Sequence, residues 1–164
     1  MNTASLATSR SVRCRTFGTM RLTSLSMTIE AQIPSQTDAI SPVVDRLMQL
    51  IERSRCAAGS ENSVELALRE SLNNAVLHGN GMDADKLVEV RCRCELGKGV
   101  WLTVKDQGKG FDPDKVPNPL APDRLKSEHG RGIYLMKLSM DQVSFGQGGT
   151  EVRLWKGRSA ANRR

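Results

Sequence analysis

Two pairs of alternating segments are each folded back by a turn too short to cross a sheet. Residues 86–95 and 100–106 are separated only by Leu96-Gly97-Lys98-Gly99, and DQVSF and TEVRLWK only by GQGG. Parallel strands need a crossover of roughly a dozen residues or more, so both pairs must be antiparallel hairpins. That rules out a doubly wound βαβ arrangement. A further alternating stretch, MTIEAQI at 27–33, supplies a first strand, and Pro34 with Ser35 breaks it.

Helical patterns fill the space between. Residues 36–55 place Val43, Val44, Leu47, Leu50 and Ile51 on one side, with Pro42 tolerable only in the first turn. After the Gly59–Ser60 break, Ser60 is positioned as the N-cap of a helix over 61–78. Its buried stripe is Val64, Leu68, Ser71, Leu72, Ala75 and Val76. The helix ends at His78–Gly79, with Gly81 able to take positive φ. RGIYLMKLSM, 131–140, predicts a third helix, and the Gly- and Pro-rich segment 107–130 is long enough to be functional rather than a plain connection. The expected fold is α+β, a two-layer α/β sandwich whose mostly antiparallel, mixed sheet carries helices on one face.

The net charge of +6 suggests nucleic acid until it is located. Of 24 basic residues, four lie in 1–29 and four in 156–164, and neither segment holds an acid; the remaining 16 face all 18 acidic residues, so the middle is −2. The basicity belongs to the tails, which weighs against direct nucleic-acid binding. A tail-driven nucleic-acid binder would show steeply salt-dependent affinity that disappears when 1–26 and 157–164 are removed. Residues 1–26 are expected to be a disordered or non-native leader, with Met20 and Met27 as alternative starts and a composition shared with transit peptides. Residues 27–157 form the folded domain, and 158–164 a basic tail. No apolar run approaches the roughly 18 residues of a membrane span, so no membrane association is expected. Val90, Cys92 and Cys94 alternate with Arg91, Arg93 and Glu95 in VEVRCRCEL, which reads as a strand with buried thiols facing inward. A Cys-x-Cys pair can ligate metal, but no second Cys/His pair stands at zinc-site spacing. The cysteine usage fits a reducing cytoplasm.

Three constellations carry chemistry. RESLNNAVLHGNG, 69–81, sets Glu70, Asn74 and His78 four residues apart, on a face beside the apolar stripe. Asn is a poor interior helix residue, and two in succession call for a reason. A carboxamide oxygen suits Mg²⁺, which takes few protein ligands and binds phosphate as well. A carboxylate one turn earlier can accept a proton from an attacking hydroxyl. The bland alternative is a solvated polar face. DQGKGF, 106–111, puts an Asp at a strand end before two glycines, and Pro113, Pro117 and Pro119 argue against a hairpin there. Those glycines let backbone approach a ligand. HGRG, 129–132, opens a helix, where freed backbone N–H groups and the helix dipole favour phosphate, although such pairs are as often only caps.

In order and spacing the three motifs resemble the GHKL (Bergerat-fold, HATPase_c-like) ATP-binding family, and within it the anti-sigma-factor serine kinases of the RsbW and SpoIIAB-like group. ESLNNAVLHG resembles that family's N box, DQGKGF its G1 box, HGRGIYLM its G2 box and GGTEVRLWK its final Gly-Thr strand, so the likeness covers about residues 27–157. The resemblance implies an ATP-dependent serine/threonine-protein kinase with Glu70 as general base and Asn74 as the Mg²⁺ ligand. It implies Asp106 at the adenine amino group, Gly108 and Gly110 beside base and ribose, and Thr150 near the adenine. Gly130, Arg131 and Gly132 fall under the phosphates, and 112–129 would be a lid over ATP. Lys109 stands where the group often has Pro. Asn73, Lys109 and His129 receive no role, and His78 is read as a structural helix-end residue. In this sequence only one expected helix precedes the N box, and it contains no His, where a histidine kinase carries a phospho-acceptor helical hairpin; this favours the stand-alone switch kinases. The implied partners are a STAS-domain anti-sigma-factor antagonist, phosphorylated on Ser or Thr, and a sequestered sigma factor, with the kinase commonly a homodimer. The competing reading is a non-catalytic, nucleotide-gated partner-binding module of the same fold.

Overall fold

The computed structural model describes residues 15–16, 26–116 and 131–158. Six strands form one sheet in the order β1-β2-β3-β4-β6-β5: β1 Arg15–Thr16, β2 Ser26–Pro34, β3 Leu87–Glu95, β4 Gly99–Lys105, β5 Gln142–Gly146 and β6 Glu151–Lys156. Every pairing among the described strands is antiparallel, so the sheet is more regular than the mixed one expected. Both hairpins form where the tight turns demand them. The first turns at Gly97 and Gly99, with φ of 84° and 136°. The second passes through a 3₁₀ turn, Gln147–Gly149, in which all three residues have positive φ. Arg15 and Thr16 pair with Glu30 and Ile29, which gives two leader residues a place at the sheet edge. The rest of 1–25, residues 117–130 (most of the expected lid and Gly130) and 159–164 lie outside the described residues.

Three helices, α1 Ile40–Ser54, α2 Glu61–Asn73 and α3 Arg131–Ser139, cover one face of the sheet, with α2 between the other two. Period-2 alternation decides which strand residues meet them. Ile29, Cys92, Leu102 and Leu154 stand in one cross-strand row, each at most 5% exposed. The helix stripe answers from above: Val64, Leu68, Leu72 and Val76 are fully buried. Burying a Leu or Val side chain contributes about 1.5–3 kcal/mol, so this interface holds α2 firmly in place. Ser60 occupies the N-cap position without a capping side-chain hydrogen bond; the Glu61 carboxylate accepts from the Gly59 N–H at 2.8 Å instead.

The opposite face of the sheet is polar and aromatic. Trp101 and Trp155 are cross-strand partners there, with ring centroids 6.3 Å apart, and the Arg93 guanidinium lies 5.6 Å from the Trp101 ring centre. Glu95, expected among the exposed residues of VEVRCRCEL, is instead 4% exposed. Lys98 and Arg93 close over it, and Lys98 leads in holding its carboxyl below the ordinary range. Cys92 is a buried free thiol as expected, but Cys94 is not: it is joined to Cys56, from the loop after α1, across 38 residues and a Cα–Cα separation of 5.6 Å. That pairing removes cysteine usage as an argument for a reducing compartment. Among the described residues no cluster of three or more His, Cys, Asp or Glu could hold a metal, and no helix is long and apolar enough to cross a membrane.

Candidate nucleotide site

The sheet and the helix layer part at one end to form a cavity of about 240 Å³. One water molecule occupies roughly 30 Å³ of liquid, so the space takes an organic group rather than an ion alone. Its floor comes from inward strand residues Val104 and Val152, its walls from α2 and α3, and its rim from the segments after β4 and before β6. Asn74, Asp106, Gly110, Gly132 and Thr150, all singled out in the sequence, line it.

The helix carrying Glu70 and Asn74 does not run on as α-helix to residue 78. At Asn74 it widens into a π-helical turn, Asn74–Gly79, closed by the Asn80 N–H donating to the Ala75 carbonyl at 2.8 Å. Such turns recur at functional sites because they re-aim side chains without ending the helix. An i→i+5 turn winds each residue through a smaller angle than an α turn. His78 therefore does not run ahead of Asn74 but comes to the cavity, which it lines from an exposed position at the mouth. The turn also brings Gly79 against Asp106: a Cβ on Gly79 would stand 2.6 and 2.7 Å from the two carboxylate oxygens. Only glycine permits that approach.

Asp106 ends up 9% exposed at the end of β4. Its N–H donates to the Thr150 carbonyl at 2.9 Å, and its Oδ1 accepts from the Gly108 N–H at 2.8 Å. Burial pushes its carboxyl above the ordinary aspartate range, against the opposing pull of those backbone N–H groups and Lys86. With Oδ1 held by the chain, the remaining acceptor capacity is available to a donor in the cavity. Gly110, at φ 72°, turns the chain so that the Phe111 N–H reaches the Gly148 carbonyl at 3.0 Å. Phe111 then meets Phe145 edge to face, with centroids 5.3 Å apart. Thr150 donates its hydroxyl to the Gln147 carbonyl at 3.0 Å.

At the other end Asn74 and Gly132 line the cavity, and Glu70, which does not line it, closes against Gly132. A Cβ on Gly132 would lie 2.7 Å from Glu70 Oε2 and 3.2 Å from Asn74 Oδ1, so the absence of a side chain at the start of α3 opens the space in front of both. No hydrogen bond among the described residues engages the Glu70 carboxylate or the Asn74 carboxamide. A carboxamide oxygen, unspent and beside a helix N-terminus that attracts phosphate, fits Mg²⁺, which shares its ligands between protein and phosphates. Arg131 is exposed beside them, and Gly130 falls outside the described residues. Ser71, Ile133, Met136, Phe111 and Phe145 also line the cavity and had been given no role there. All but Phe145 lie inside the stretches that resemble the N, G1 and G2 boxes, so reading those stretches for their apolar as well as their polar residues would have found four of the five.

The family described as "Histidine kinase-like ATPase domain" matches residues 33–156. The chain is 29% identical over 122 residues to serine-protein kinase RsbW of Bacillus subtilis (strain 168), covering 70% of this chain and 75% of the relative. It is 31% identical over 122 residues to RsbW of Bacillus velezensis, with the same coverage. Anti-sigma F factor of Clostridium novyi is 30% identical over 82 residues, covering 49% of this chain and 57% of the relative. With the match spanning every element from the end of β2 to β6, this chain belongs to the histidine kinase-like ATPase domain family.

Proposed function

We propose that the protein is an ATP-dependent serine-protein kinase that acts as an anti-sigma factor, phosphorylating a STAS-type anti-sigma-factor antagonist and sequestering a sigma factor as a homodimer. The observation that carries the reading is the pairing of two ends in one cleft. A buried carboxylate, Asp106, waits at one end, and Asn74 and Gly132 line the other, with the Glu70 carboxylate set just outside the lining against Gly132; no hydrogen bond among the described residues engages the side chain of Glu70 or Asn74. The names of the relatives, serine-protein kinase and anti-sigma F factor, point the same way.

In this reading Asp106 accepts a hydrogen bond from the adenine amino group, while Val104, Val152, Met136 and Ile133 enclose the base. Gly108, Gly110 and Thr150 lie beside base and ribose, and the phosphates extend toward the N-terminus of α3 at Arg131 and Gly132. Asn74 would hold Mg²⁺, which supplies positive charge to the phosphates when bound. Glu70 takes the proton of the acceptor serine hydroxyl as its oxygen bonds to the γ-phosphorus. The bond from that phosphorus to the bridging oxygen breaks, and ADP leaves with the electron pair. Backbone N–H groups at the start of α3 stabilise the charge on the transferring group.

The test is calorimetric titration of ATP with and without Mg²⁺, on wild type, Asn74→Ala and Glu70→Ala. Asn74→Ala should lose the Mg²⁺-dependent part of binding. Glu70→Ala should bind and fail to transfer phosphate to the antagonist. Wild-type protein that binds no ATP would refute the kinase reading in favour of a partner-binding module. Equal loss of binding in both variants would refute the roles assigned to them.

A further inference from the structure

We infer that Asn80 is a positioning residue for nucleobase recognition, acting through the backbone of Gln107 to set the Asp106 carboxylate. The inference rests on the reading of Asp106 as the group that meets the adenine amino group. Asn80 follows the π-helical turn and is 3% exposed, with both ends of its side chain used. Its Oδ1 accepts from the Gln107 N–H at 2.7 Å, and its Nδ2 donates to the Leu87 carbonyl at 3.1 Å. The Gln107 side chain closes the loop by accepting from the Leu87 N–H at 2.8 Å. One buried carboxamide thus ties the exit of the helix to the start of β3 and to the segment after β4.

The consequence falls on the residue between. Asp106 is fixed on its N-terminal side by its N–H to the Thr150 carbonyl and on its C-terminal side by the Gln107 N–H to Asn80. With both flanking peptide groups anchored, its backbone cannot rotate, and Gly79 and the Gly108 N–H confine the carboxylate itself. A buried amide that satisfies both its donor and its acceptor specifies one arrangement, because any other leaves a polar group unpaired.

The experiment compares affinity for ATP with affinity for purine riboside triphosphate, which lacks the 6-amino group, in the full-length chain. Wild type should prefer ATP by about tenfold or more, as expected for a hydrogen bond to a charged group. Asn80→Ala should bring that ratio close to one. Asn80→Asp keeps an acceptor for Gln107 but replaces the donor to Leu87 by a carboxylate oxygen facing that carbonyl, so it should retain the preference while melting at clearly lower temperature. Gln107→Ala leaves the Gln107 N–H in place and should also retain it. A merely structural Asn80 would weaken both nucleotides alike and leave the ratio untouched in Asn80→Ala, which would overturn the inference. So would loss of the preference in a folded Asn80→Asp, a result still readable if Asn80→Ala does not fold. A wild-type ratio near one would instead remove the Asp106 reading, and the inference with it.

Discussion

Replacing Gly132 by Ala should leave the protein at least as stable and make it a poor kinase. Gly132 lies in the first turn of α3 with ordinary helical φ, so Ala gains up to about 1 kcal/mol of helix propensity. For a domain of this size that raises Tm by roughly 2–4 °C at most. The added methyl would stand 2.7 Å from Glu70 Oε2, whereas ordinary van der Waals contact begins at 3.4 Å. The obstacle is the end of a flexible side chain, so it yields by about 0.7 Å and the fold is spared. Catalysis is less forgiving: a reacting group misplaced by about 1 Å can cost roughly a hundredfold. The expected loss in transfer is therefore between about tenfold and a hundredfold. A thermal melt gives the stability arm, and single-turnover phosphate transfer to the antagonist at saturating ATP gives the other. Wild-type transfer in a folded Gly132→Ala protein would show that Glu70 and Gly132 do not share the space in front of the phosphates. A fall in Tm of several degrees would show that the methyl meets something stiffer than a carboxylate.

Further outcomes follow from protonation. Burial raises the Asp106 carboxyl, so its ionised form costs the empty protein stability; this group's contribution is fully present below the ordinary aspartate pKa and is lost as pH rises through the raised folded value. Asp106→Asn should accordingly melt higher than wild type at pH 7.5 without nucleotide, while losing ATP affinity. Wild-type ATP affinity should fall on acidification at higher pH than an ordinary aspartate would give, and that inflection should vanish in the variant. Burial also pushes the Cys92 thiol up to about 12, so a thiolate-directed alkylating reagent at pH 8 should label it only after denaturation, as read by peptide mass spectrometry. Labelling in the native state would mean that β3 opens locally.

What the sequence discloses is what short-range physics dictates. The two hairpins follow from turn length, the helices from period, and the pairing of Glu70 with Asn74 from α-helical spacing up to the point where the spacing holds. It stops holding at Asn74: the spacing put His78 on the face of Glu70 and Asn74, but the π-helical turn that carries it to the cavity mouth has no signature in residue type. Contacts between distant segments were equally hidden: Asn80 with Gln107, Cys56 with Cys94, and the covering of Glu95 by Lys98 and Arg93. Strand alternation named Glu95 as outward, which it is, but could not tell an outward residue from an exposed one.

The placement of the two tryptophans has a practical meaning for anyone watching this protein by fluorescence. Trp101 and Trp155 are the chain's only tryptophans, and strand alternation puts both on the face turned away from Val104, Val152 and the cavity. A nucleotide entering the cleft arrives with the whole thickness of the sheet between it and either indole. Intrinsic emission is therefore a reporter of the far face, responding to whatever dries or quenches that surface, and a silent signal during ATP titration says nothing against binding.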